Sequence, residues 1–247
     1  MRVDFTKMNG LGNDFVIIDN RAHNIALNSA QITKLADRKF GIGCDQLIMV
    51  QTPELGDLRM DIYNADGSVA EACGNATRCV AKLFNANTIE TVAGTLTANI
   101  VGDEVAVNMG QASILKSNVD YGLGLPNASF VTIGNPHIVL YSTDLNGLDI
   151  MTLGKAVQAQ EMANINFAQV INKSLVSLKV YERGSGYTGA CGTGACATVF
   201  AGIANGLLDA KVTVTQAHGD LQITLQDDGN ITMQGDANIN YTGVVEV

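Results

Sequence analysis

Ala72-Cys73-Gly74-Asn75-Ala76 and Ala190-Cys191-Gly192-Thr193-Gly194 are the two segments around which this chain is organised. Each sets a cysteine ahead of a small glycine-bearing turn, and each turn runs into a stretch with helical spacing. They stand 118 residues apart in a chain of 247, one in each half. A thiol at a helix N-terminus meets unpaired backbone N–H groups and the positive end of the macrodipole, and both favour its thiolate. One such cysteine is a candidate nucleophile. Two, brought face to face by a duplicated fold, make an acid and a base for opposite sides of one substrate.

Other matches extend the duplication. Gly12-Asn13 before the apolar run Phe15 to Ile18 recurs as Gly134-Asn135 before Ile138 to Leu140. Gln46 with Leu47-Ile48 is matched to Gln169 with Val170-Ile171, Asn64 to Glu182, and Gly94-x-Leu96 to Gly219-x-Leu221. The order is preserved throughout and the offset drifts only slowly, which is how an internal repeat reads in a sequence.

Composition narrows the class. Hydrophobic residues make up 47% of the chain, but no apolar run approaches the roughly 18 residues of a membrane span. Met1-Arg2-Val3-Asp4 enters a strand-like segment directly, without the apolar stretch of a signal peptide. The net charge of −9, with no basic run, argues against a nucleic-acid partner. Five cysteines without a secretion signal fit a reducing cytoplasm. The expectation is a cytoplasmic protein acting on small molecules, with no nucleic-acid or membrane partner and with a homodimer left open.

Strand patterns alternate with few helices. Phe15 to Asp19, Leu47 to Gln51, Leu58 to Tyr63, Val105 to Met109, Ile138 to Tyr141, Leu175 to Glu182, Val212 to Gln216 and Leu221 to Leu225 read as strands. Gly102-Asp103 reads as a tight hairpin turn. Helical spacing covers Ser29 to Lys39, Ala76 to Asn85 and Gly194 to Leu208. The pattern lapses from Ser113 to Tyr121, where a domain boundary is expected. The predicted fold is α+β, with two pseudo-symmetric lobes, each a mostly antiparallel sheet wrapped around a central helix that begins at its cysteine. Residues 1–115 form the lobe carrying Cys73 and 116–247 the lobe carrying Cys191, the last strand being free to pack back on the first lobe.

Cys44, Cys79 and Cys196 lie in apolar surroundings and read as small core residues. Neither the cysteine intervals nor the three scattered histidines have metal-site spacing, so no metal is expected. A thiol titrates near pH 8.5 and lower at a helix start, so both protonation states are within reach at neutral pH. A thiolate can remove a weakly acidic α-hydrogen while a thiol on the other face supplies a proton, which is the arrangement that inverts a stereocentre. A cysteine hydrolase with His137 as base is the competing reading, and it leaves the second helix-start cysteine unexplained.

The chain resembles the diaminopimelate epimerases, enzymes that interconvert LL- and meso-diaminopimelate without a cofactor in lysine and peptidoglycan precursor biosynthesis. The resemblance runs through Lys7-Met8-Asn9-Gly10-Leu11-Gly12-Asn13-Asp14-Phe15, Gly41-Ile42-Gly43-Cys44-Asp45-Gln46 and Tyr63-Asn64-Ala65-Asp66-Gly67-Ser68. It continues through the first cysteine motif, Gly134-Asn135-Pro136-His137, Glu182-Arg183-Gly184 and the second cysteine motif up to Cys196. It implies that Cys73 and Cys191 are the acid/base pair and that no cofactor is needed. It also implies that Asn13, Asn64, Asn135, Asn164 and Arg183 hold the distal amino-acid end of the substrate, with Glu182 supplying an anion for ammonium. The backbone of Gly74-Asn75 and Gly192-Thr193 would bind the reacting carboxylate, Gln46 would line the same cavity, and His137 with Glu182 would help set thiol protonation.

Three positions depart from the family pattern. Tyr187-Thr188-Gly189 stands where Glu-Thr-Gln or a similar run precedes the second cysteine, Cys44 where phenylalanine is common, and Met8-Asn9 where Met-His is common. The first lies beside the candidate site and leaves room for a changed substrate. A racemase of another amino acid on the same fold is therefore the second reading. Retention of Asn64, Asn164 and Arg183 argues against it.

Overall fold

The structure, a computed structural model, describes residues 2–124 and 128–246. Its contacts divide the chain into a first unit that runs to Val107 and resumes at Gly235, and a second unit spanning Asn108–Gln234.

The first unit contains β1 (Arg2–Gly10), β2 (Asn13–Asp19), α1 (Ser29–Ala36), β3 (Gln46–Gln51), β4 (Leu58–Asn64), β5 (Val69–Ala70), α2 (Gly74–Phe84), β6 (Thr88–Thr91), β7 (Gly94–Val101) and the start of β8 (Glu104–Gln111). β1 and β2 are antiparallel, β2 and β3 parallel, and β3 and β4 antiparallel. β4 then pairs in parallel with β6, and β6–β7 and β7–β8 are antiparallel. The β7–β8 link is the two-residue turn read at Gly102-Asp103, with Val101 paired to Glu104 and Gly102 at φ 61°. Asn28 caps α1 in a reciprocal capping box with Gln31. That helix packs Ile32 and Leu35 against Val16, Ile18, Leu47 and Met49 in one apolar cluster.

The second unit repeats this order. It holds β9 (Ser113–Val119), β10 (Ala128–Ile133), β11 (Asn135–Tyr141), α3 (Ile150–Gln158), β12 (Asn164–Asn172), β13 (Leu175–Glu182), β14 (Gly186–Thr188), α4 (Gly192–Ala204), β15 (Lys211–Gln216), β16 (Gly219–Leu225) and β17 (Asn230–Gly235). β10–β11 is antiparallel, β11–β12 parallel, β12–β13 antiparallel and β13–β15 parallel, followed by antiparallel β15–β16 and β16–β17. Each pairing has its counterpart in the first unit. α2 packs on β1, β2, β6 and β7, while α4 packs on β10, β11, β12 and β16, so each sheet wraps a helix that starts at its cysteine. Cys44, Cys79 and Cys196 are buried as read.

Four features depart from the sequence reading. Ser113 to Val119 is strand β9, paired with β10, where a boundary was expected. Its alternate residues are largely exposed, which removes the apolar alternation that marks a strand. The units consequently divide at 107/108, where 115/116 was expected; β18 (Asn238–Glu246) pairs with β1 in the first unit, the place the sequence left open for the last strand. Helix α3 carries no signal the reading recognised, although Asp149 caps it through the Thr152 N–H. Finally, the pairing register overturns the match of Gln46 with Gln169. Phe15 lies opposite Gln46 and His137 opposite Asn164, so the counterpart of Gln46 is Asn164.

Candidate active site

In the first unit, Cys73 is the N-cap of α2, with extended backbone at φ −150° and ψ 111°. Its Sγ lies 3.7 Å from Asn13 Oδ1, which also accepts a hydrogen bond from Asn75 Nδ2 at 3.3 Å. The Asn13 amide has a fixed sense because its Nδ2 donates to Asp45 Oδ2 at 3.1 Å. Asp45 is held by Arg38, which also binds Asp14, and Asp14 in turn pairs with Lys7. Burial pulls the Asp14 carboxyl upward, but the hydrogen bonds from Arg38 and Lys7 override it and leave it far below the usual carboxylate range. Gly10-Leu11-Gly12 makes the turn between β1 and β2 that places Asn13 at a strand start, with Leu11 and Gly12 both at positive φ.

Gln46 opens β3 directly opposite Asn64 at the end of β4. Gln46 Nε2 donates to Asn64 Oδ1 at 3.0 Å, and Asn64 Nδ2 donates to Ser68 Oγ at 3.0 Å. Gln46 Oε1 and Asn75 Oδ1 are buried acceptors without a donor among the described residues. Of the residues expected in this unit, Cys73, Asn75 and Asn13 form one contact group and Gln46 and Asn64 a second. Gly74 opens α2 beside Cys73, and the first N–H groups of a helix lack intrahelical acceptors.

In the second unit, Cys191 is the N-cap of α4 in nearly the same conformation, φ −141° and ψ 114°. Its Sγ accepts from the Gly194 N–H at 3.4 Å and lies 3.6 Å from Thr193 Oγ1, with Gly192 in the turn between. Burial pushes the Cys191 thiol well above its ordinary value and Glu182 adds to the shift, against smaller opposing contributions from Thr193 and Gly194. Glu182, which ends β13, accepts a hydrogen bond from the Thr188 hydroxyl.

The neighbouring strand ends carry a connected set of polar groups. Asn164 Oδ1 accepts from the Arg183 backbone N–H at 2.9 Å, and its Nδ2 donates to the Pro136 carbonyl at 3.4 Å. His137 is completely buried between Asn135 Oδ1, 3.0 Å from Nε2, and Asn166 Nδ2, 3.1 Å from Nδ1. Burial lowers its pKa to about 4. The Arg183 side chain is exposed and, among the described residues, has no protein partner. Asn135, His137, Asn164 and Arg183 thus belong to one group, and Cys191, Thr193 and Glu182 to another in the same unit.

Three residues that the sequence reading passed over join these groups. Asp45 sets the sense of the Asn13 amide; its place inside the Gly-Ile-Gly-Cys-Asp-Gln motif was the available signal. Asn166 holds His137, and its Oδ1 is a buried acceptor without a donor among the described residues, aimed at Gly194 so closely that a Cβ there would lie 2.4 Å away. Alternation along β12, from Asn164 to Asn166, could have found it. Gln216 accepts the Cys191 backbone N–H at 2.7 Å, and no local pattern announces that contact.

The diaminopimelate epimerase family profile matches residues 5–115 and 129–240. A diaminopimelate epimerase of Gluconobacter oxydans is 43% identical over 244 residues, covering 93% of this chain and 94% of that protein. One from Vesicomyosocius okutanii is 39% identical, with full coverage of both chains. Among solved structures, a phenazine biosynthesis protein of the PhzF family from Bacillus anthracis superposes with a TM-score of 0.76 at 15% identity, over the whole of both chains. A hydroxyproline epimerase from Agrobacterium vitis gives 0.74 at 12% identity, covering 99% of this chain and 91% of that one. At such low identity these two structures speak for the fold alone.

Proposed function

Because the chain belongs to the diaminopimelate epimerase family and is therefore an isomerase, we propose that it interconverts LL- and meso-diaminopimelate by moving protons at one α-carbon with the Cys73 and Cys191 thiols. The observation that carries this reading is the pair of cysteine N-caps, matched in backbone conformation and in topological position. One thiolate takes the α-hydrogen, forming S–H as the C–H electron pair passes to the substrate carbon. The other thiol gives its proton to the opposite face and becomes the thiolate. Nothing is oxidised or reduced, and the roles reverse for the other epimer.

The negative charge that develops spreads into the α-carboxylate. Free N–H groups at Gly74-Asn75 and Gly192-Thr193, at two helix N-termini, suit that charge. The unpartnered guanidinium of Arg183 suits the distal carboxylate as a planar fork. The orphan acceptors Gln46 Oε1 and Asn75 Oδ1, together with Asn64, Asn135, Asn164 and Glu182, suit ammonium and amide-like contacts. His137, neutral and walled in by two amides, acts in this reading by holding Asn135. The five cysteines suit a reducing compartment, so the reading includes a cytoplasmic site of action.

The test is isotopic. With LL-diaminopimelate in deuterated water, the inverted product should carry deuterium at the α-carbon from the first turnovers, and recovered substrate much less. Cys73→Ala and Cys191→Ala should each abolish inversion. Deuterium entering substrate and product at equal rates would rule out the two-thiol mechanism. Activity on another amino acid with none on diaminopimelate would replace the substrate assignment.

A further inference from the structure

We propose that Gln216 is a positioning residue for the Cys191 thiol, and that the turn Gln216-Ala217-His218 is a built holder for the segment Gly189–Cys191. The proposal rests on Cys191 being an acid/base in the reaction.

Three contacts make the holder. Gln216, buried at the end of β15, accepts the Cys191 N–H through Oε1 at 2.7 Å. Since Cys191 can only donate there, the sense of the Gln216 amide is settled. The Ala217 N–H donates to the Gly189 carbonyl at 3.1 Å. The His218 ring occupies the space beside Gly189 so fully that a Cβ at that position would sit 2.0 Å from its Cδ2 and Nε2. Gly189 is not at positive φ, so the glycine is explained by the imidazole beside it rather than by backbone conformation. The departure at Gly189 is accordingly matched by His218.

The direction of a side chain at an N-cap follows from its backbone; the Cys191 carbonyl accepts the first bond of α4 from the Ala195 N–H at 3.0 Å, while its own N–H lies outside the helical ladder. That N–H is fixed by Gln216. Small errors in the placement of a proton-transfer group are expensive, because the reaction needs a near-attack geometry. Gln216 is also buried with Nε2 lacking a partner among the described residues, a cost that apolar packing would avoid. The first unit repeats one of the three contacts, the Ala93 N–H donating to the Glu71 carbonyl at 3.2 Å, while the counterpart of Gln216 in register, Thr91, turns its hydroxyl to the Gly94 carbonyl. The charged group that bears on Cys191 is Glu182.

The experiment compares Gln216→Leu, which removes the acceptor, with Gln216→Glu, which keeps it and adds an anion. Steady-state kinetics are measured against pH, and hydrogen exchange of the Cys191 amide is followed by NMR. For Gln216→Leu the expected result is faster exchange of that amide and a kcat lower by about tenfold or more, with KM within about twofold. Gln216→Glu should keep the amide protected and recover most of kcat, with its kcat/KM profile displaced by about one unit toward alkaline pH, because an anion beside a thiol disfavours the thiolate. Fast exchange in Gln216→Leu with wild-type kcat would overturn the proposal, as would a Glu variant as slow as the Leu variant at every pH. If Gln216→Leu does not fold, the Glu variant decides alone: recovered kcat with a displaced profile supports the proposal, and an unmoved profile ends it. If the unsubstituted protein epimerises nothing, the reading of Cys191 fails first and takes the proposal with it; exchange data from the Leu variant still report whether Gln216 holds the amide.

Discussion

Asn166 donates its amide N–H to His137, with Nδ2 3.1 Å from the imidazole Nδ1. The same amide nitrogen donates to the Ile138 carbonyl at 3.1 Å, so it cannot be exchanged with its oxygen without setting two carbonyls against each other. His137 Nδ1 is therefore an acceptor, the ring proton is on Nε2, and Nε2 donates to Asn135 Oδ1.

A pH dependence of stability follows. Burial holds the folded-state pKa of His137 at about 4, below its ordinary 6.5. Between these values the unfolded chain binds a proton that the folded chain refuses. Stability is present above pH 6.5 and falls as the pH drops toward 4. From pH 7 to pH 4.5 this one group should remove on the order of 2–3 kcal/mol of unfolding free energy. Urea titrations of wild type and His137→Asn at both pH values measure it: the variant starts lower and loses less on acidification. Parallel losses in the two proteins would show that His137 is not the group responsible.

Glu182 raises the Cys191 thiol. Glu182→Gln should move the ascending limb of the kcat/KM profile toward lower pH. A limb at the wild-type position, whatever the change in KM, would mean that Glu182 does not set the protonation of this thiol.

Arg183 presents an unpartnered guanidinium, anchored at its backbone by Asn164. Arg183→Lys keeps the charge and loses the fork. Its kcat/KM for diaminopimelate should fall by an amount worth about 1–3 kcal/mol, as for a charge-assisted hydrogen bond. Wild-type kinetics in this variant would place Arg183 outside the site.

Gly189 and His218 should behave as one steric unit. Gly189→Ala drives a methyl group into the imidazole, and because His218 lies at the surface the cost should be about 1 kcal/mol, the low end for overpacking. Adding His218→Gly should return most of it. A double-mutant cycle by thermal unfolding reads the coupling, and simple additivity of the two changes would refute the contact.

What the sequence determined by itself is what short-range chemistry encodes. A cysteine followed by a glycine turn and an apolar helical face marks both N-caps, and the paired motifs around Asn13 and Asn135 mark two strand starts. Alternation located most of the strands, and the order of motifs exposed the repeat and identified the family. Where alternation is absent, as in β9, or where no capping signal was recognised, as at α3, the elements were not legible.

Tertiary structure decided everything that depends on register between distant strands. Only pairing shows that Gln46 corresponds to Asn164 and not to Gln169, because a repeat can drift by a few residues without losing its motifs, whereas a ladder shifted by one residue turns every side chain to the other face. Only pairing assigns β9 to the second unit and β18 to the first. And only folding brings Gln216 to the Cys191 N–H, Asp45 to Asn13 and Asn166 to His137. A single amide or carboxylate carries no local signature of the group it will meet, since that partner is chosen by the packing of sheet on helix and not by neighbours in the chain.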